Sequence, residues 1–378
     1  TVQRVIWPFV ILNISMKFYS LITLILFSFN MFSASFIDKD IQVVKPSYET
    51  PQVVSKGDAA DDPAIWFNKS NPSKSLIFGT DKRSGVYTYN LNGEKVNYTE
   101  LGNINNIDTR TINITDNDGL DLGPYSFIFA SNRTLNSLDI WAFSDANMNL
   151  AIDNNNFNLP KKPYIRAKSD VEVYGVCGGY DKTFGLIAFL TADGSSEIEL
   201  WSYSSLGLTL LTTFKNGNAI QSEGCVYDDE NRTLFISEEQ DRGILRAYNI
   251  DDELDFSSPI VIDNRSGYIN GDPEGVTIYK TSEKEGYVIV SSQGDDTFNL
   301  YDRVSPYKYI GSFKIGHSKK IDGVTDTDGI SAINFNLNND FKRGLFVAQD
   351  GTNDGKLKVK RQNFKLVSFD EILKSLDL

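Results

Sequence analysis

A short pattern of residues recurs six times along this chain and constrains its fold more than any other feature. In each copy an apolar strand is followed by a few small or polar residues, a turn, and a second strand that often ends in an aromatic residue. The copies lie about 50 residues apart, and a repeat of that length holding about four strands is typical of a β-propeller blade. They are centred near Thr80, Ser131, Thr191, Ser237, Ser292 and Ala348.

The repeat predicts an all-β fold over residues 36–378, a six-bladed β-propeller with about four to five antiparallel strands per blade. Tyr, Phe, Val, Ile and Thr are abundant, and Asn, Asp, Gly and Ser lie between the short apolar runs, as strands and tight turns require. A β-sandwich with unrelated hairpins is the alternative, but it has no need of six evenly spaced copies. Because a propeller must close its ring, we expect the segment IQVVKPSY at 41–48 to lend an outer strand to the last blade.

The first 35 residues predict export. From Met16 onward they combine a basic start, an apolar stretch and the small residues Ser33, Ala34 and Ser35, as in a secretory signal. Residues 1–15 contain no Met and are a candidate for sequence upstream of the true start. The apolar stretch of about 15 residues is shorter than the roughly 20 of a spanning helix. We therefore expect cleavage, no stable membrane association afterwards, and a secreted or periplasmic protein.

Acidic residues stand just before the expected innermost strand of each blade. In a propeller these strands line the central channel, so residues at matching positions converge on one axis. An acid followed by Gly would by itself indicate only a turn, but six copies predict a ring of carboxylates. The candidates include further residues at the ends of the strands that follow. The full set is Asp58, Asp61, Asp62, Asp108, Glu172, Glu223, Glu238, Glu239, Asp272, Glu274, Gln293, Asp322, Asp326, Asp328 and Asp350.

A ring of this kind predicts bound cations, because crowded carboxylates cannot all stay ionised without one. The ligands are oxygens, and no His or Cys cluster accompanies them, which favours several Ca²⁺ ions. Lys82, Arg83 and Arg133 fall on the same face of the predicted propeller. Each alone would be interpreted as a solvated turn residue, but beside calcium they become candidate ligands of phosphoryl oxygens.

The formal net charge of −13 argues against nucleic acid as a partner. His317 is the one histidine, which excludes mechanisms that need two imidazoles, and we expect it to be a solvated turn residue.

The two cysteines, Cys177 and Cys225, lack the spacing of a zinc site. We expect them to be small core residues rather than a disulfide.

Several segments resemble the β-propeller phytases, also called alkaline phytases. The similarity runs in order over nearly the whole predicted domain. It rests on DAADDPAIW at 58–66, SNR at 131–133, SEG at 222–224, DPEG at 272–275, YVIVSSQG at 287–294, DTDGI at 326–330, FVAQDG at 346–351 and QNFK at 362–365.

The resemblance implies a calcium-dependent phosphomonoesterase of the 3-phytase type. Its substrate would be calcium-complexed myo-inositol hexakisphosphate, and we expect a monomer. Carried over by position, Lys82, Arg83 and Arg133 resemble the phosphate ligands of the cleavage subsite, Tyr174 a further substrate contact, and Glu223 a catalytic acid that also binds metal. The implied metal ligands are Asp58, Asp61, Asp62, Asp108, Glu223, Glu239, Asp272, Glu274, Gln293, Asp322 and Asp328.

Two positions depart from the family pattern. Where members carry a lysine for an adjacent phosphate subsite, this chain has Asp193 or a neighbour, and Val171 replaces an expected asparagine. Lys168 and Arg166 are candidates to compensate. The departures leave the second subsite open.

Two other functions remain compatible with an acidic propeller. One is a calcium-dependent lactonase or phosphotriesterase, which would not need Lys82, Arg83 and Arg133. The other is a non-catalytic binding propeller in which calcium only holds the blades together. Phosphate release from phytate discriminates among the three.

Overall fold

The computed structural model describes residues 39–115, 119–155, 157–204, 206–240, 242–353 and 361–378. The predicted leader at 1–35 lies outside these residues. The described chain begins with two short strands, β1 (Ile41–Val44) and β2 (Tyr48–Glu49). The strands that follow form six sheets in chain order, which confirms the six-bladed β-propeller.

Each of the first four sheets contains four consecutive antiparallel strands. Blade one contains β3 (Ala60–Trp66), β4 (Leu76–Asp81), β5 (Gly85–Tyr89) and β6 (Lys95–Glu100). Blade two contains β7 (Ile104–Thr115), β8 (Asp121–Asn132), β9 (Ser137–Ser144) and β10 (Ile165–Lys168). Blade three contains β11 (Val173–Asp181), β12 (Gly185–Ala192), β13 (Glu197–Ser204) and β14 (Gly207–Lys215). Blade four contains β15 (Cys225–Asp228), β16 (Thr233–Ser237), β17 (Leu245–Asn249) and β18 (Ile260–Asp263).

The last two blades each take a strand from the beginning of the described chain. Blade five contains β19 (Val276–Lys280), β20 (Gly286–Ser292), β21 (Thr297–Asp302) and β22 (Tyr309–Ile315). Blade six contains β23 (Ile330–Ile333), β24 (Leu345–Asp350) and β25 (Asn363–Ser368). Two α-helices, α1 (Asp145–Asp153) and α2 (Phe369–Ser375), lie outside the sheets.

The ring closes through both early strands. β2 pairs antiparallel with β25 and supplies the fourth strand of blade six, as the sequence predicted for the segment that ends at Tyr48. The prediction was incomplete for residues 41–44, because β1 pairs in parallel with β22 and becomes a fifth strand of blade five. Val44 is buried there against Phe313 and Ile315. One segment thus ties the two last blades together.

The hydrophobic core is distributed between the blades. In the described chain each core cluster combines residues of two neighbouring sheets, such as Trp66 and Phe78 of blade one with Ile128 and Trp141 of blade two. Packing of this kind fixes each blade against its neighbours and directs the innermost strands toward a common axis. No helix within the described ranges is long and apolar enough to cross a membrane.

The prediction that the cysteines are separate core residues is wrong. Cys177 and Cys225 form a disulfide, with their Cα atoms 5.7 Å apart. Their separation of 48 residues is about one blade repeat, so they occupy the innermost strands of adjacent blades, β11 and β15. Comparison with zinc-site spacing does not reveal such a pair, whereas the blade repeat places the two cysteines on matching strands.

Replacing both cysteines with Ala is expected to lower the free energy of unfolding by about 4 kcal/mol, since the bond closes a loop of 48 residues. Urea denaturation monitored by tryptophan fluorescence measures the change. Wild-type protein reduced with dithiothreitol should match the double variant. An unchanged denaturation midpoint in both samples would contradict the predicted stabilisation.

Candidate active site at the mouth of the channel

The innermost strands meet their neighbours around the ring, and the residues just before them form one face. The repeated acid-Gly pairs explain how neighbouring blades approach. A Cβ on Gly224 would lie 1.7 Å from the carbonyl oxygen of Glu274, and one on Gly329 would lie 2.4 Å from Asp62 Oδ1. Glycine is required at these positions because the backbone of the next acidic segment lies directly against it. The motif therefore brings the acidic segments of adjacent blades together.

Asp61 and Asp62 of blade one point in different directions. The Asp61 side chain is fully buried and accepts a hydrogen bond from Asn105 Nδ2 at 3.0 Å. Asp62 instead accepts a hydrogen bond from the backbone N–H of Ile107, also at 3.0 Å, which connects it to blade two. Burial raises the pKa of Asp62 well above its usual range, and the negative charges of Asp61 and Asp108 add to the effect.

Acids from blades four, five and six converge beside Asp61. Gln293 donates to Glu274 Oε1 at 3.0 Å and to Asp328 Oδ1 at 3.2 Å, and so joins blades five and six. Glu223, at the start of blade four, accepts a hydrogen bond from Asn105 of blade two. Glu239 accepts from Gln221 at 2.7 Å. We call Asp61, Glu223, Glu239, Glu274 and Asp328 the central acids.

The central acids repel one another. Burial raises the pKa of Glu223 and that of Glu274 well above their usual range, and the neighbouring carboxylates raise them further. Burial likewise raises the pKa of Glu239 and of Asp328 to about 7, although Lys82 acts in the opposite direction on Asp328. In the metal-free protein several of these carboxyl groups therefore keep a proton at neutral pH, unless a bound cation takes the place of the proton.

Lys82 is the protein's own counter-charge to the central acids. Its Nζ lies 2.9 Å from Asp61 Oδ1, 2.8 Å from Asp58 Oδ1 and 3.2 Å from Asp328 Oδ2. Burial alone would lower the pKa of Lys82, but these carboxylates and Glu223 raise it above its ordinary value. Lys82 is thus a permanent cation held among acids.

The central acids suit a hard cation in chemistry. Glu239 Oε1 is buried and accepts no hydrogen bond in the described chain, although its carboxylate lies close enough to Glu223 to share a proton. Over the same residues no three His, Cys, Asp or Glu side chains already enclose a common point, because Lys82, Asn105 and Gln293 lie between the acids. An all-oxygen donor set of mutually repelling carboxyl groups fits Ca²⁺.

A cleft of about 470 Å³ opens beside the central acids. Its basic wall contains Lys82 and Arg83 from blade one and Arg133 from blade two. The other lining residues are Asp58, Asn103, Glu172 and Val173. Arg83 Nε donates to the backbone oxygen of Asp58 at 2.7 Å. The basic wall and the central acids thus share Lys82.

Arg133 has several partners in this cleft. Its Nη1 donates to Asn105 Oδ1 at 3.1 Å, its Nη2 donates to Asp193, and its guanidinium lies 5.0 Å from the ring centre of Tyr174. Burial raises the pKa of Tyr174, and Glu223, Glu239 and other acids raise it further, so the phenol stays protonated. Tyr174 therefore lies between the basic wall and the acids.

Three predicted metal ligands lie in other groups. Asp108 is 3.3 Å from Arg110 Nη1 and accepts from the backbone N–H of Gly178 at 2.9 Å. Asp272 pairs with Arg265. Asp322 Oδ1 is 2.5 Å from the Nζ of Lys365, which also binds Glu49 and Asp350 in blade six. Their roles in metal binding stay predictions.

Asn105 is not among the residues that the sequence predicted for the site. Asn105 is fully buried, and its amide joins Asp61, Glu223 and Arg133, which come from three different blades. The signal was its position just before the other candidates of blade two. Of the proposed compensating residues, Arg166 binds Asp139 of its own blade at 2.5 Å and does not line the cleft.

The pKa shifts predict how pH affects the metal-free protein. Glu239 and Asp328 have pKa values of about 7 when folded and about 4 when unfolded. The folded protein therefore binds more protons between these values, so its free energy of unfolding decreases as pH rises from about 4 to 7. We expect the melting temperature of metal-free protein to be about 5 °C or more lower at pH 8 than at pH 5. Saturating Ca²⁺ should remove this difference, whereas greater metal-free stability at pH 8 would contradict the assignment.

Comparisons with known proteins agree with the resemblance in sequence. A family model described as Phytase matches residues 12–378. Over 335 residues the chain is 33% identical to a protein named 3-phytase from Bacillus subtilis (strain 168), covering 87% of this chain and 84% of that protein. Among solved structures, a luciferin-regenerating enzyme is similar with a TM-score of 0.48 and 13% identity, covering 83% of this chain and 93% of that chain. The sequence matches span nearly the whole chain, whereas a structural similarity this low carries no information about activity.

Proposed function

This chain belongs to the phytase family and is a phosphomonoesterase that hydrolyses phytate, and we propose that it does so through a Ca²⁺-dependent site at the mouth of the propeller channel. The observation that carries the proposal is the position of Lys82, which lies in the basic wall of the cleft and among the central acids at once. A site built in this way can hold a phosphate group and its activating cations side by side.

The basic wall would bind the phosphate to be cleaved. Arg133 can present two N–H groups to phosphate oxygens, and Lys82 and Arg83 add positive charge from the neighbouring blade. As negative charge develops on the transferring phosphoryl group, these three side chains would stabilise it. Tyr174, protonated and beside Arg133, would donate a hydrogen bond to the substrate.

The central acids and Gln293 would hold the calcium ions, with Asp58, Asp62, Asp108, Asp272 and Asp322 as further candidates. When bound, Ca²⁺ supplies a Lewis acid that polarises phosphate oxygens and lowers the pKa of water. Asn105 would keep Asp61, Glu223 and Arg133 in their relative positions while the central acids give up contacts with Lys82 and bind a cation instead. An acidic chain would also repel a polyanionic substrate until its carboxylates are covered.

We also propose that the protein acts as a monomer outside the cytoplasm, in a secreted or periplasmic location, on calcium-complexed phytate. The disulfide between blades three and four supports this location, because such bonds persist in oxidising compartments. The substrate and the excess of acidic residues give no role to nucleic acid.

Phosphate release from phytate tests the function. Purified protein should release inorganic phosphate with added Ca²⁺, and excess chelator should abolish release in a way that renewed Ca²⁺ restores. A lactone and a phosphotriester assayed in parallel test for lactonase and phosphotriesterase activity. Circular dichroism verifies that the protein remains folded in the presence of chelator. Folded protein with no Ca²⁺-dependent phosphate release would refute the proposal.

A further inference from the structure

The disulfide joins two strands that each lie next to a residue of the candidate site. Cys177 lies three residues after Tyr174 on β11, and Cys225, the first residue of β15, lies two residues after Glu223. β11 and β15 belong to different sheets, so they share no ladder of backbone hydrogen bonds in the described chain. The disulfide is thus a covalent link between blades three and four beside the site.

Tyr174 lies where the pairing of its own strand is interrupted. The register of β11 against β12 shifts between residues 173 and 176, so Tyr174 and Gly175 lie in an irregularity of the β-bulge kind. The backbone N–H of Gly175 donates instead to Thr191 Oγ1 at 2.7 Å. Cys177 follows where regular pairing has resumed, and it anchors β11 next to the irregularity.

Glu223 precedes the regular pairing of its blade and lies against the same irregularity. The ladder between β15 and β16 begins at Cys225. A Cβ on Gly175 would lie 2.1 Å from the carbonyl oxygen of Glu223, so the two backbones are in direct contact. This contact sets the position of Glu223 relative to Tyr174 only while blades three and four keep their separation.

Apolar packing also holds these two blades together around the disulfide. Phe189 of blade three and Tyr227 and Ile236 of blade four form one buried cluster with the two cysteines. We therefore expect the fold to survive when the bond is opened. Resting on the proposed function, we propose that this disulfide is a positioning element, which holds Tyr174 and Glu223 at the separation that binding of phosphate and cation requires.

Removal of both cysteines tests the positioning role. The double variant Cys177→Ala, Cys225→Ala should lower kcat for phytate about tenfold, because a displacement of about 1 Å in a catalytic site costs up to about a hundredfold in rate. Isothermal titration calorimetry should show weaker Ca²⁺ binding, since Glu223 is a proposed ligand. Both measurements are made well below the melting temperature, where circular dichroism verifies that the variant is folded.

Reduction of the wild-type protein tests the same inference without a substitution. Cys225 is partly buried and Cys177 fully buried, so a dithiothreitol thiolate attacks the sulfur of Cys225 and Cys177 leaves as a thiolate. The second thiolate of the reagent then displaces Cys225 as a thiolate and closes the oxidised ring, which completes a two-electron reduction of the protein. The kcat for phytate should decrease to the value of the double variant and return on reoxidation.

Two controls separate positioning from stability. Ile372→Ala opens a cavity at a buried position of α2, outside the sheets, and should lower the midpoint of urea denaturation while kcat and Ca²⁺ affinity stay at wild-type values. Dithiothreitol should have no effect on the double variant, which has no cysteine. Wild-type kcat and Ca²⁺ affinity in the folded double variant or the reduced protein would overturn the proposal and leave the disulfide a role in stability alone.

Hydrogen exchange tests the inference without calcium or turnover. In metal-free protein, peptides covering residues 172–177 and 221–226 should exchange faster after reduction, whereas peptides from blades one, five and six should not change. Equal rates in oxidised and reduced protein would overturn the positioning role, and so would a uniform increase in all blades, which indicates only lower global stability. Oxidised protein that releases no phosphate would refute the proposed function and leave this comparison to decide the inference.

Discussion

Glu223→Gln is expected to reduce phytate hydrolysis by at least about a hundredfold, the range seen when a group that stabilises the transition state is removed. Glu223 is buried, lies among the central acids and accepts a hydrogen bond from Asn105. Gln keeps the shape and can still accept that bond, but it removes a negative charge that a cation would need. Initial rates of phosphate release at saturating Ca²⁺ measure the loss.

The same substitution should stabilise the metal-free protein at pH 8. Burial and neighbouring acids disfavour the ionised form of Glu223, so a neutral side chain relieves repulsion. Thermal denaturation would therefore show a higher melting temperature together with lost activity, which a misfolded variant cannot show. Glu100→Gln, on the exposed outer strand of blade one, is the matched control and should change neither property. Activity within about threefold of wild type would remove Glu223 from the site.

Lys82→Ala should also abolish most turnover, and its effect on stability should be opposite. Lys82 lies 2.9 Å from Asp61 and 3.2 Å from Asp328, so its removal leaves these two buried carboxylates without their counter-charge. Breaking a buried ion pair from one side costs about 3 kcal/mol or more. We expect the metal-free variant to unfold at lower urea concentration than wild type, and added Ca²⁺ to restore much of the stability by linkage.

Two further variants sharpen the Lys82 experiment. Lys82→Arg keeps the charge and should retain part of the activity, whereas Lys74→Ala removes an exposed ion pair on the same blade and should be neutral. Lys82→Ala should still bind Ca²⁺, which isothermal titration calorimetry measures. Full activity in Lys82→Ala would mean that the basic wall of the cleft is not the cleavage subsite.

Many features of the protein follow from its sequence because they are local and repeated. Each strand-turn-strand unit is specified by residues close together in the chain, and six copies leave few architectures other than a six-bladed propeller. The acid-Gly segments recur in register with that repeat, so their convergence on one face follows from the fold. The segments around Asp61, Glu223 and Glu274 carry the family resemblance for the same reason.

Other features depend on contacts between blades, which no local pattern specifies. The tertiary structure alone decided that Cys177 bonds Cys225, that β1 joins blade five, and that Asp61 and Asp62 point to different partners. It also placed Asn105 between three blades and Asp193 on Arg133. The physical reason is that hydrogen bonds and charge pairs depend on side-chain directions at distances of a few ångströms. Residues far apart in the chain acquire those directions only when the blades pack.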